Sequence, residues 1–194
     1  MSALIVSVLA ACSDPGSPTA PTPLASADHA TAPATAHDAE HGAPAHDAHL
    51  LVKVLDRCDG PTFNEAIGPG TCVRPHGLLF ANFVDQLTAN KRAFAWRNVP
   101  EHLNAKIGET VHAVNLGGEV HTFTRVAHFG GGIVPFLNNL AGTPDVVHEC
   151  ADLPPSEFMA PHGTDSEVLD KAGDIKFQCC IHPWMHTVVH VSAS

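Results

Sequence analysis

Apolar and polar residues alternate over His102–Ile107 and again over Thr110–Asn115, with Gly108-Glu109 between them. A period of two broken by glycine predicts strands joined by a turn. Leu116-Gly117-Gly118-Glu119-Val120 reads as a second turn that delivers His121-Thr122-Phe123-Thr124 at the start of another strand. Thr164 to Leu169, Gly173 to Cys179 and Thr187 to Val191 read as further strands, and Leu50 to Leu55 has strand composition. Strands this short at this interval mark a β-meander or a β-sandwich. The period changes between His76 and about Lys91, where Phe80, Phe83, Val84 and Leu87 recur at three- and four-residue spacing. That spacing predicts one amphipathic helix whose aromatic residues belong to a core. Val134 to Leu140 reads as a short helix, and Pro154-Pro155 ends any regular element.

The pattern divides the chain. Residues 1–12 form an apolar run too short to span a bilayer, ending in Leu9-Ala10-Ala11-Cys12. That ending resembles the lipobox of bacterial lipoproteins, which implies export and lipidation at Cys12; a cleaved signal peptide is the alternative. Residues 13–49 are Pro, Ala, Thr, Ser, Asp and His with almost nothing to bury, the composition of a flexible tether. Its histidines, His29, His37, His41, His46 and His49, suit either weak capture of copper or zinc or a plain solubilising spacer. Residues 50–98 read as an extension packed on the main domain, with no chemistry assigned to them. Cys58 and Cys72 bracket a short loop there and form a candidate disulfide. Residues 99–194 read as the main domain.

Composition narrows the function. With 194 residues, 44% of them hydrophobic, the chain supports one ordinary core plus extensions. A formal net charge of −10 argues against nucleic acid and anionic lipid headgroups, and favours a basic patch on a protein partner. Six cysteines behind an export signal point to an oxidising compartment. Fifteen histidines and no tyrosine raise the expectation of a metal.

The chemistry concentrates in Phe177-Gln178-Cys179-Cys180-Ile181-His182-Pro183-Trp184-Met185-His186. Cys-x-x-His-x-x-Met puts thiolate, imidazole and thioether within one turn of chain, a donor set suited to copper. Adjacent Cys179 and Cys180 face opposite sides of a strand and would chelate one tetrahedral zinc poorly. Neither the Cys-x-x-Cys-His of covalent haem nor the Cys-x-x-Cys of thioredoxin chemistry occurs, and no Gly-x-Ser-x-Gly elbow supports a hydrolase. Gln178 and Cys180, rather than histidines, flank Cys179, and there is no second His-x-His set for a multicopper cluster.

Gly108-Glu109-Thr110-Val111, Asn115, His121-Thr122-Phe123-Thr124 and Cys179-x-x-His182-Pro183-Trp184-Met185 together resemble the cupredoxins over residues 99–194, with a ligand loop as short as that of amicyanins. The resemblance implies an all-β Greek-key sandwich, here with an N-terminal helical extension and an insertion from about Ala127 to Gly163. It implies one type 1 copper held by His121, Cys179, His182 and an axial Met185. Thr122 would tie the first ligand strand to the cysteine loop, and Asn115 would support it. His182 is expected at the domain surface, with Pro183 and Trp184 forming an apolar landing patch. With Cys179 given to copper and Cys12, Cys58 and Cys72 set aside, Cys150 and Cys180 remain as a candidate pair. A free Cys180, or its pairing with Cys58 or Cys72, stays open. The expected function is single-electron transfer, not catalysis, by a protein in the periplasm or on the outer cell surface. Its partner would be a redox protein with a basic patch, and it would touch the membrane only through a lipid anchor. Copper delivery or storage, with the tether loading metal, is the alternative; a non-blue catalytic copper site is a weaker one.

Overall fold

Strand burial follows the alternation. In β4 (Thr110–Asn115) Val111, Ala113 and Asn115 are buried while Thr110, His112 and Val114 are only partly covered. These details come from a computed structural model, which describes residues 50–193. The expected signal segment 1–12 with Cys12, and the expected tether 13–49 with its histidines, lie outside the described residues.

Two four-stranded mixed sheets face each other. The first runs β2 (Arg97–Val99), β1 (Leu51–Leu55), β4, β6 (Thr164–Val168). The second runs β3 (His102–Lys106), β8 (His186–Ser192), β7 (Gly173–Gln178), β5 (Thr124–Val126). β1 is parallel to β4 and β3 to β8; the other neighbours are antiparallel. Val52, Val54, Val111 and Ala113 from one sheet meet Leu103, Ile175, Phe177 and Val189 from the other in a single core. β3 and β4 are consecutive in sequence yet lie in different sheets, and so are β6 and β7. The choice between meander and sandwich therefore falls to the sandwich. At Gly108 the backbone adopts φ 89°, a left-handed conformation that glycine tolerates, and its N–H donates to Leu169 O at 2.8 Å.

Residues 50–98 are not an addition laid over this sandwich. β1 lies between β2 and β4, so the segment supplies two strands of the first sheet. The reason is burial: Val52 and Val54 of β1, with Leu50 just before it, are shielded completely on the core side, while Leu51 and Lys53 stay exposed. The single helix expected from His76 to Lys91 forms as α2 (Phe80–Asn90), closed by Lys91 in the left-handed region. A further helix, α1 (Gly60–Ile67), forms in a stretch for which no helix was expected. Asp59 is its N-cap and accepts from the Thr62 N–H at 3.1 Å, and Pro61 sits in the first turn, where its missing N–H costs nothing. Phe63 on α1 packs with Phe80 and Phe83 of α2 and with Trp96 at ring-centroid separations of 5.2–5.7 Å.

The insertion carries α3 (Pro135–Ala141), α4 (His148–Ala151) and a 3-10 turn at Pro155–Glu157. Cys58–Cys72 and Cys150–Cys180 are both disulfide-bonded. Cys179 joins the main core, whereas Cys180 joins a second cluster with Val126, Val147 and Cys150, on the other side of the strand. No helix among the described residues is long and apolar enough to cross a membrane.

Candidate metal centre

Three donors meet at one end of the sandwich. Cys179 leaves β7 with its sulfur buried, and it is the one unpaired cysteine among the described residues. Its Sγ lies 3.6 Å from His121 Nδ1 and 3.7 Å from His182 Nδ1. The three ligand atoms all fall within 4.8 Å of one another. With metal–sulfur near 2.3 Å and metal–nitrogen near 2.0 Å, donors about 110–120° apart on one ion stand roughly 3.5–3.7 Å apart. The observed separations fit a metal in that gap.

The loop after β7 turns back because Met185 N–H donates to His182 O at 3.0 Å and Cys179 N–H donates to Met185 O at 3.1 Å. Those two bonds fold Cys179, His182 and Met185 into one tight loop, and Met185 is buried in the same core as Cys179. Thr122 spans the two halves of the site: its N–H donates to Cys179 Sγ at 3.4 Å, and its hydroxyl accepts from Cys180 N–H at 2.8 Å. Asn115 shapes the preceding turn. Its side-chain amide donates to Glu119 O and Met159 O at 2.8 and 2.9 Å and accepts from Gly117 N–H. Met159, at the far end of the insertion, exchanges both backbone bonds with His121.

Sequence reasoning missed two carboxylates. Asp56 follows β1, in the block to which no chemistry was assigned, and is buried with Oδ2 2.9 Å from His121 Nε2. The same oxygen accepts from Gly118 N–H and Glu119 N–H at 2.8 and 3.0 Å, and Oδ1 accepts from Cys58 N–H at 3.1 Å. A Cβ on Gly117 would collide with that carboxylate, so glycine is what lets the turn close on Asp56. Asp56 accepts only, so His121 carries its proton on Nε2 and turns Nδ1 toward Cys179. The second carboxylate, Glu119, accepts from Trp96 Nε1–H and stands 3.6 Å from His182 Nε2. The one local signal for either was a lone acidic residue at the end of an apolar run or inside a Gly-Gly turn, and neither is specific.

Electrostatics favour charge at the thiol. Burial pushes the Cys179 thiol up, but hydrogen bonds from His121 and His182 outweigh this and hold it well below its usual range. Burial would likewise lower His121, yet the Asp56 and Cys179 bonds raise it to about 9. Asp56 is pushed up by burial and pulled further down by His121, ending below the usual carboxylate range. Burial raises Glu119. With the thiol lowered and the imidazole raised, the surroundings favour an imidazolium between a thiolate and a carboxylate. A second close set, Asp56, Cys58 and Glu119, offers no thiolate because Cys58 is bonded to Cys72.

His182 is not at the surface. It is 2% exposed, because α1, α2 and α3 close over this end and leave an apolar hollow of about 220 Å³. Phe63, Phe80, Phe83, Val134 and Leu137 line it together with His182. The surface expectation failed because the helices between β1 and β2 cover the loop. Pro183 is buried and Trp184 half-buried. His128, His148 and His162 are exposed and outside the cluster.

No family model and no curated protein sequence matches the chain. Among solved structures, a purple cupredoxin from Nitrosopumilus maritimus is similar at 15% identity, covering 73% of this chain and 98% of that one, with a TM-score of 0.41. An amicyanin from Paracoccus versutus is similar at 23% identity over 50% of this chain and 73% of that one, with a TM-score of 0.33.

Proposed function

We propose that this chain is a type 1 copper protein, a cupredoxin-like Greek-key sandwich that carries single electrons. The observation behind this reading is the convergence of His121 Nδ1 and His182 Nδ1 on the free, buried Cys179 sulfur. Two imidazoles and one thiolate are the strong equatorial set of a blue-copper centre, and Met185 is the axial thioether. Zinc is the poorer match, because its protein sites draw a fourth donor from Cys, His or carboxylate. The carboxylates nearest this set, Asp56 and Glu119, face the outer nitrogens of the imidazoles.

Copper would supply the one-electron couple. The protein's part is to hold donors that need not move. Thr122 N–H and the loop bonds place the thiolate, Asp56 orients His121, and the sandwich supports both ligand halves. Export fits two disulfides, which persist in an oxidising compartment. We assign anchoring to Cys12 and place the protein in the periplasm or on the outer surface, exchanging electrons with a redox protein. The test is a visible and EPR spectrum of the copper-loaded protein. An intense thiolate-to-copper charge-transfer band is expected, and Cys179→Ser should abolish it; a wild-type protein without the band refutes the assignment.

Copper uptake should depend on pH in a set direction. Cys179 is already a thiolate, but His121 holds a proton that must leave before Nδ1 can bind metal. Because that proton is held up to about pH 9, apparent affinity should rise with pH below that value and level off above it. With one proton displaced, the rise is about tenfold per pH unit. Competition against a chelator of known affinity at several pH values measures the slope; a flat profile between mildly acid and neutral pH contradicts it.

A further inference from the structure

Net charge suggests a basic partner, but the surface beside the copper loop carries the opposite sign. Of the five arginines in the chain, Arg57, Arg74, Arg92 and Arg97 line two hollows that share Phe94 and Arg97. None of the four makes an ion pair with a described residue, whereas the fifth, Arg125, pairs with Glu167 and Asp170. Arg74 Nε is buried without a hydrogen-bond partner, and the side-chain amide of Asn98, in the first hollow, also lacks one. At the centre Phe94 is 49% exposed, with the Arg92 guanidinium 5.2 Å from its ring centroid. The acidic residues in these hollows are Glu101 and Asp56, and Asp56 is turned inward onto His121. Unpaired arginines around an exposed aromatic are the composition of a docking surface.

Trp184 lines the first hollow and meets the His182 ring edge-on at a centroid separation of 5.5 Å. Whatever seats on Phe94 therefore comes close to a ligand of the metal site. We infer that the face formed by Arg57, Arg74, Arg92, Phe94 and Arg97 docks an acidic protein surface, placing a redox partner's carboxylates on the guanidiniums and its redox group near Trp184. The partner's role rests on the electron-transfer reading; its acidity rests on the arginines alone. Guanidiniums match carboxylates in paired hydrogen bonds, and a local field of this sign steers an anionic partner even when the whole protein is acidic.

The test has two arms. In the first, copper-loaded protein is reduced by anionic hexacyanoferrate(II), which gives one electron per copper, and by cationic hexaammineruthenium(II). The hexacyanoferrate rate should fall as salt rises, the sign of attraction, despite the net charge of −10. The double variant Arg92→Gln, Arg97→Gln, at two exposed positions, should slow that rate about tenfold and leave the ruthenium rate unchanged or faster. An unaltered charge-transfer band shows that the variant's site is intact. In the second arm, a short poly-glutamate peptide is titrated into metal-free protein, followed by fluorescence of Trp96 and Trp184, both of which line the first hollow. Binding should weaken about tenfold in the double variant. If the wild type shows no charge-transfer band, the copper reading fails and the peptide arm still decides the docking face. A hexacyanoferrate rate that rises with salt, or peptide binding that is indifferent to the arginines or no tighter than free glutamate, overturns the proposal.

Discussion

Asp56→Asn should unfold at markedly lower denaturant than the wild type and bind copper more weakly. The carboxylate accepts four hydrogen bonds: from His121 Nε2, Gly118 N–H, Glu119 N–H and Cys58 N–H. An amide has one accepting oxygen and one donating nitrogen, so in either orientation it aims N–H at one or more of these donors. The site is buried, and water cannot satisfy what is lost. Removing one partner of a buried charge pair costs about 3–5 kcal/mol, and retention of some bonds by asparagine puts the expected loss at roughly 2–4 kcal/mol. Loss of a carboxylate behind a ligating imidazole lowers metal affinity about 10- to 100-fold. The less basic imidazole should also favour reduced copper and raise the potential. Denaturant unfolding of the metal-free variant, chelator competition and a potentiometric titration measure the three effects. Wild-type stability with unchanged copper affinity would mean that Asp56 only fills space.

The second large effect concerns Cys150–Cys180, which ties the insertion to the residue next to Cys179, the proposed copper ligand. The bridge closes a loop with a sequence separation of 30, and the chain-entropy estimate for such a loop is about 3–4 kcal/mol. Replacing both cysteines by alanine should lower stability by roughly that amount. The insertion also holds Ile133 N–H on Cys180 O at 2.7 Å and packs Gly132 so close that a Cβ there would collide with the same carbonyl. The loosening should therefore reach the ligand loop and broaden the copper EPR signal as well as shift the unfolding midpoint. An unchanged midpoint would show that the sandwich and the Cys58–Cys72 bridge suffice.

These two expectations also mark where sequence reasoning stopped. β3 and β4 were legible because one-face burial writes a period of two and they lie where the alternation puts them; β6, β7 and β8 also lie where strands were expected. Cys179 and His182 were legible as a donor pair because the Cys-x-x-His loop is short and local, whereas His121, 58 residues from Cys179, was assigned only through the resemblance to cupredoxins. Strand parity put Cys180 on the side opposite Ile175 and Phe177, where it lies, but left its partner open; the bond to Cys150 was decided by the fold. The same approach misjudged residues 50–98. It saw strand composition at Leu50–Leu55 but not that β1 pairs parallel to β4, since a strand's partner is chosen by contacts distant in sequence.

By itself, then, the chain determined its periodicities, its turns and the donor types of the Cys179-x-x-His182 loop. Each of these is set by neighbours a few residues apart. Only the tertiary structure decided that Asp56 stands behind His121 across 65 residues, that Glu119 approaches His182, and that α1 and α2 close over the site. The gathering of four arginines around Phe94 in an acidic protein was likewise decided there. Such juxtapositions depend on which buried surfaces satisfy one another once the sheets pair, and no local pattern of apolar and polar residues records that outcome.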